Sequence, residues 1–437
     1  MERLNFNLSR KGGKFKVLNA TNGGPCHKRH ANDQYMSNLA DYKAARIPYS
    51  RNHDSAALYI YGGPYSHDIL NIFPNFDADP YNPQSYDFAC TDEDILNCLD
   101  AGTKTFFRLG QTLEHQIKKH ATLPPKDFNK WAVICEHIIR HYNEGWADGF
   151  KLNIEYWEIW NEPDLDPDDS THKRAWGGTK AQFFDLYEIA AKHLKKCFPH
   201  LKIGGPALAS KEYWAEDFLC EMQKRNVPID FFSWHVYCTE PTFMIQKAER
   251  IKKLLVKYNY ANAESILNEW NYVRGWKEDY VYSLLSMHGL KGAAFVLSCM
   301  CEAQKSDAID MLMYYGTRPT KFNGAFDFYT LRPLKGYYPL YWYGMFYDME
   351  QYIPSENTVE NVYTLCGVDK NGKVLAVVTH YTDNDEAGDK TIQLDFGKPG
   401  KYEIYLLDEE HTNELVSTTE DLTFTMKNQT CILIKEL

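Results

Sequence analysis

Eight short apolar runs, each ending in a polar cluster and separated by helix-like stretches, constrain this chain more than any other feature. The runs are residues 15–20, 45–49, 103–110, 154–162, 201–206, 229–237, 265–269 and 292–299. Helical patterns lie between them, among them 91–99, 131–142, 179–197, 249–258 and 280–288. Runs rich in Val, Ile, Phe, Tyr and Trp suit a pleated, buried environment. Eight strands alternating with helices predict an α/β fold, a (β/α)8 TIM barrel, whose functional groups gather where the strands end. An open doubly wound sheet is the rival, but no GxGxxG follows the first run.

The text changes near the C-terminus. Residues 374–381, 391–396, 401–407 and 431–434 read as short strands, separated by turn signals such as Lys370-Asn371-Gly372 and Lys398-Pro399-Gly400. This predicts a barrel over 1–350 and an all-β sandwich over 351–437, with the N-terminal residues a candidate first strand of the sandwich. Loops 52–92 and 300–335 set how open the cleft at the strand ends is. The Pro-, Tyr- and Asp-rich insertion around 61–86 is a candidate lid or oligomer contact.

Composition narrows the function classes. A net charge of −11 argues against nucleic acid and anionic membrane surfaces, which select for basic patches. No apolar stretch reaches membrane-spanning length. The eleven Cys show no CxxC spacing, so neither a zinc site nor a disulfide framework is expected. No metal or cofactor is expected. Reduced thiols, and first residues without an apolar h-region, lead to the expectation of a cytoplasmic protein. A homo-oligomer stays open.

The chemistry sits in two of the runs. Ile159-Trp160-Asn161-Glu162-Pro163 ends a strand at a carboxylate, because Pro163 removes a backbone donor and biases Glu162 away from helix. Leu267-Asn268-Glu269-Trp270 repeats the arrangement on the seventh strand. Glycosidic bond cleavage needs one carboxylic acid to protonate the leaving oxygen and one carboxylate across the anomeric carbon. Glu162 is the better acid/base, since Trp160 and Pro163 lower the local polarity. Glu269 is the better nucleophile, held ionised by Arg51, His235 and Tyr237 from other strand ends. Asn161 is placed to bond the sugar's 2-hydroxyl. Glu158 shares the inward face with Trp160 and Glu162, and Arg108 is its expected partner. Trp176 and Trp270 are candidate sugar platforms.

Trp160-Asn161-Glu162-Pro163 with a later strand-end Glu is the pattern of clan A retaining glycoside hydrolases. Within that clan the chain most resembles family 39, which includes β-xylosidases and α-L-iduronidases. Asn22-Gly23-Gly24-Pro25, Arg51-Asn52-His53 and the stretch from Asp230 to Tyr237 extend the resemblance. It implies Glu162 as acid/base, Glu269 as nucleophile, a covalent glycosyl-enzyme intermediate and an oligosaccharide substrate. It places His235 and Tyr237 near the nucleophile and His53 on the first sugar. Two departures stand out. The family carries Thr-Glu where this chain has Asn268-Glu269. After the eighth strand the xylosidases carry acidic residues, and here only Glu302 could play that part. A non-catalytic carbohydrate-binding protein and a transglycosylase remain as alternatives.

Overall fold

The computed structural model describes residues 1–27, 37–53, 56–58, 62–209, 211–320 and 322–437. Its first eleven strands are β1 (Glu2–Asn5), β2 (Val17–Asn22), β3 (Tyr49–Arg51), β4 (Ala56–Leu58), β5 (Gly62–Tyr65), β6 (Lys104–Leu109), β7 (Tyr156–Ile159), β8 (Lys202–Leu208), β9 (Phe231–Cys238), β10 (Glu264–Tyr272) and β11 (Met311–Tyr314). β2, β3 and β6 to β11 close, in that order, into one barrel with every pair parallel. β4 and β5 form a hairpin after β3. The start of the insertion, residue 61, lies outside the described residues. Its remainder runs through β5 and the short helix Ile69–Ile72 to Tyr86, whose ring stacks on Phe88 at 5.5 Å.

The eighth strand corrects the sequence reading. Residues 292–299 belong to the helix Leu290–Lys305, and the barrel closes instead with β11, Met311–Tyr314. That helix is buried nearly all round, because the barrel lies on one side and the C-terminal domain on the other. A helix apolar on every face carries no 3.6-residue stripe, and a short apolar run of this kind cannot be told from a strand by periodicity. Among the described residues no single helix is long and apolar enough to cross a membrane. One pair, Tyr280–His288 with Leu290–Lys305, passes by composition but is bent by 78°.

Two layers fill the barrel interior. Ala20, Phe106, Tyr156, Phe231, Ile266, Met311 and Met313 pack the lower end. Above them the interior turns polar, with Arg51, Arg108, Glu158 and Asn268 all fully buried. The apolar residues pointing outward, such as Trp157, Ile203 and Phe232, meet the surrounding helices. Each such side chain contributes about 1.5–3 kcal/mol relative to exposure.

The C-terminal part is built of two sheets. Six antiparallel strands, Gln351–Tyr352, Val362–Val368, Val374–His380, Cys431–Glu436, Tyr402–Leu407 and Thr412–Thr419, form one. The other has three strands, with Lys390–Asp395 in the centre, Thr423–Met426 on one side and β1 on the other. Leu4, Ile392, Ile404 and Ile434 lie in the core between them. This domain grips the barrel through Asp383, which accepts from Tyr272 at 2.6 Å and pairs with Arg274 at 3.1 Å and Lys291 at 3.0 Å.

Candidate active site

Backbone breaks at the strand ends aim the site. β7 alternates regularly through Glu158, which points inward. Trp160 then adopts φ 72° and leaves the alternation. Its indole turns outward, donating to the Ala175 carbonyl at 3.0 Å and lying edge-on to Trp176 at 5.0 Å. Glu162, at φ 49°, turns back, and its amide bonds the Ala207 carbonyl at 2.9 Å. Left-handed backbone at two non-glycine residues costs energy and recurs at functional sites. Gly205 of β8 allows the close approach, since a Cβ there, at φ 136°, would lie 2.9 Å from the Ile159 carbonyl oxygen. β10 carries the second device. Its register against β9 slips between Leu267 and Glu269, and the bulge turns the Asn268 side chain into the barrel to donate to Glu158. Glu269 then emerges at the mouth.

The two carboxyls meet there, each 7% exposed. Oxygens of Glu162 and Glu269 and a ring nitrogen of His235 all lie within 4.8 Å of one another. His235 Nδ1 is 2.8 Å from Glu162 Oε1 and 3.6 Å from Glu269 Oε2. Burial lowers the imidazole to about 4, so it is neutral near pH 7. With carboxylates facing Nδ1, that nitrogen carries the hydrogen. Lys247 donates to the His235 carbonyl at 2.7 Å and steadies the strand from behind.

Arg51 ties the site together. Its Nε donates to Glu158 at 2.7 Å, Nη1 to Asn22 at 3.1 Å and to Glu269 at 3.4 Å, and Nη2 to Asn161 at 2.5 Å. The expected Glu158–Arg108 pair is therefore corrected. Glu158 and Arg108 are register neighbours, but Arg108 turns to Asp68 at 2.8 Å and Arg51 takes Glu158. The Tyr237 hydroxyl donates to Glu269 Oε1 at 2.5 Å. Burial pushes Glu269 up to about 7, against the pull of His235 and Arg51, and the nearby Glu162 pushes the same way. The two carboxyls are thus coupled, a charge on either disfavouring a charge on the other.

Other predicted residues fall on both sides of the line. Asn161 is buried, and its Nδ2 has no partner among the described residues, so the amide keeps a donor for something else. His53 lies at the mouth, its ring 6.5 Å from that of Tyr315, and burial holds it well below its usual value. Trp270 is not a platform. It is 1% exposed, points away from the barrel axis and packs on Tyr314 and Phe295. Trp176 is 3% exposed and donates to the Thr179 carbonyl. Glu302 sits near the end of the helix Leu290–Lys305, paired with Lys305 at 2.6 Å, away from the strand ends. Its assignment followed from the misplaced eighth strand and falls with it.

The sequence reading missed the rim. Tyr315 follows β11, Trp276 follows β10, and Phe322 lies 5.7 Å edge-on from Tyr237. Their only signal was aromatic residues a few positions beyond two barrel strands. Among the described residues two groups hold donor atoms close enough to share an ion. One is Glu162, His235 and Glu269, where the Arg51 guanidinium already lies on Glu269 and opposes a cation. The other is Glu136, His193 and Cys197 on the outer helices, where Arg140 lies 2.7 Å from Glu136. A cavity of about 380 Å³ on the outer wall, lined by Leu208, Trp234 and Lys247, includes neither catalytic candidate.

Comparison with known proteins adds the following. The sequence profile of glycosyl hydrolases family 39 matches residues 4–269. A β-xylosidase of Geobacillus stearothermophilus is 30% identical over 194 residues, 42% of this chain and 36% of that protein. A β-xylosidase of Caldicellulosiruptor saccharolyticus is 27% identical over 278 residues, 58% of this chain and 52% of that protein. The chain thus spans about a third to a half of the curated relatives it matches. Among solved structures, a glucosidase from Croceicoccus marinus superposes with a TM-score of 0.78 at 21% identity, covering 100% of this chain and 99% of that one. A monomeric β-xylosidase from Caulobacter crescentus CB15 gives 0.72 at 16% identity, with 100% and 99% covered. At such identities these likenesses show the fold.

Proposed function

The chain belongs to glycosyl hydrolases family 39, and from that premise we propose that it is a retaining O-glycosyl hydrolase acting on oligosaccharides or short glycosides. The observation that carries the reading is the spacing of the carboxyls, with oxygens of Glu162 and Glu269 within 4.8 Å. Retaining enzymes hold their two carboxyls about 5–5.5 Å apart, whereas inverting enzymes need roughly 6.5–9.5 Å to admit a water.

In this proposal Glu269 attacks the anomeric carbon while Glu162 protonates the leaving oxygen. The bond to the leaving group breaks as the Glu269 ester forms. Glu162, now ionised, then takes a proton from water, which attacks the same carbon and frees Glu269. This step needs Glu162 protonated and Glu269 ionised. Tyr237 and Arg51 fix the attacking carboxylate, and both donors favour its ionised form. His235, donating to Glu162 Oε1, leaves the other oxygen to carry the proton. The spare amide of Asn161 faces the role of bonding the 2-hydroxyl, a contact that strengthens in the transition state. All eleven cysteines are free thiols, which supports a cytoplasmic location within the same proposal. Finding the protein in a secreted fraction would overturn that part.

Turnover of aryl glycosides tests the reading, with β-xyloside first because the curated relatives are named β-xylosidases. The wild type should release the aryl group from at least one of β-xyloside, β-glucoside, β-galactoside, α-L-arabinoside and α-L-iduronide, with net retention seen by proton NMR. Glu269→Ala should not. Release by the variant at the wild-type rate, or inversion, would sink the proposal. A folded, silent wild type would favour a binding role.

A further inference from the structure

Trp276 is 57% exposed, far more than the tryptophans of the core. Its surroundings are ordered aromatic ones. The Trp276 ring lies 5.6 Å from Phe322 at 13° and 6.2 Å from Tyr280 at 24°, and Tyr280 lies 6.1 Å from Phe322 at 34°. Trp276 is offset-stacked on both of the others, which tilt toward each other, and the three make a staggered aromatic layer with Trp276 as its exposed member. Tyr237 stands perpendicular to this layer, 5.1 Å from Trp276 at 80° and 5.7 Å from Phe322 at 88°. The same Tyr237 bonds Glu269, so the layer begins one side chain from the nucleophile.

The root of this loop is held from outside the barrel. Arg274 pairs with Asp383 and Asp385 of the C-terminal domain and lies 4.0 Å over the Tyr282 ring, while its amide bonds Ser283 Oγ at 3.0 Å. A large apolar side chain kept exposed on a clamped support marks a recognition surface more than a loop accident.

We propose that Trp276, with Phe322 and Tyr280, forms a shelf for a second sugar ring, on the side of the cleaved ring away from the leaving group. The direction follows from the barrel order. Glu162, the proton donor to the leaving oxygen, extends from β7, while the shelf rises beyond β10 and Tyr315 beyond β11, the strand opposite β7. The leaving group lies against Glu162, so the chain of sugars runs the other way, over Glu269 and onto the shelf. The apolar C–H face of a pyranose packs on an aromatic face as another ring edge would. The occupant is the outer ring of a neutral disaccharide unit, probed in β-linkage because the curated relatives are named β-xylosidases. This inference rests on the hydrolase reading for its orientation.

Aryl β-xylobioside and aryl β-cellobioside, each against its aryl monoside, test it in wild type, Trp276→Ala and Trp276→Phe. The wild type should free the intact disaccharide, with a higher kcat/KM than on the monoside. Trp276→Ala should lower the bioside-to-monoside ratio about 10-fold, and Trp276→Phe should restore most of it. An unchanged ratio, or removal of single terminal sugars only, overturns the shelf while the hydrolase reading stands. Should the wild type turn over no glycoside, the hydrolase reading falls, and quenching of tryptophan emission by xylobiose or cellobiose decides the shelf. A spectral change lost in Trp276→Phe keeps it, and none in the wild type removes it.

Discussion

Replacing Glu269 by Gln should make the protein inactive and more stable at once. Burial, with Glu162 alongside, raises this carboxyl from an ordinary 4.5 to about 7. A carboxyl raised in this way binds more protons folded than unfolded. Its ionisation therefore costs stability as pH rises from about 4.5 through 7, and the full cost persists above that. The gap corresponds to about 3 kcal/mol. Gln keeps the shape and an acceptor for the Tyr237 hydroxyl, now 2.5 Å away, but it turns an amide toward Arg51, where the carboxylate oxygen lies at 3.4 Å. That mismatch gives back about 1 kcal/mol. About 2 kcal/mol remains, on the order of 2 °C in Tm for a chain of this length unfolding as one unit. Scanning calorimetry of wild type and Glu269→Gln at pH 4 and pH 8 measures it. The variant should melt higher at pH 8 and lose its advantage at pH 4. An equal advantage at both pH values, or a lower Tm at pH 8, would refute the account, because neither follows from a desolvated charge.

Other predictions concern the same network. Arg51→Met strands Glu158 at 0% exposure and should cost about 3–5 kcal/mol in denaturant unfolding. Adding Glu158→Gln should return part of it, and a double variant no more stable than the single one would count against the pairing. Tyr237→Phe removes the hydroxyl on Glu269 and should lower kcat/KM on the best aryl glycoside by roughly 100-fold; a loss under 3-fold would deny it that role. Glu162→Gln should abolish turnover of glycosides with poor leaving groups while sparing activated aryl ones far more, since only the former need the proton. Equal losses across a leaving-group series would remove Glu162 as the acid.

What could be read from the sequence, and what could not, divides along physical lines. Alternation of apolar runs with helices is a period that survives folding, and a Glu followed by Pro announces a strand end in covalent terms. Those two signals located the barrel and Glu162, and a second apolar run ending in Asn268-Glu269 located the other carboxylate. The failures lie where tertiary context overrides period. Residues 292–299 sit between two domains, and burial on every face erased the helical stripe that would have marked them. Glu302 was misplaced for that reason alone. Trp160 broke the strict alternation through a left-handed residue, and no propensity marks that turn. Glu158 had two arginines within reach, Arg108 on the adjacent β6 and Arg51 on β3 beyond it, and Asp68, distant in sequence, drew Arg108 away. Trp270 and Trp276 are identical in composition and opposite in exposure. Only the packing of Phe295 and Tyr314 on the first, and the aromatic layer around the second, tells them apart.

β1 pairs with Lys390–Asp395, so a strand that precedes the barrel completes a sheet whose centre follows the barrel. During synthesis at about 5–20 residues per second, that strand waits on the order of 20–80 s for its partner. Through that interval Leu4 and Phe6, each under 4% exposed once folded, have nothing to cover them. Until then the segment before the barrel keeps an apolar face without its partner. The finished molecule cannot be cut into independent halves near residue 350 without leaving a row of open backbone donors on each piece. β1 and Lys390–Asp395 therefore act as a latch across the barrel, one that can close only after both have been made.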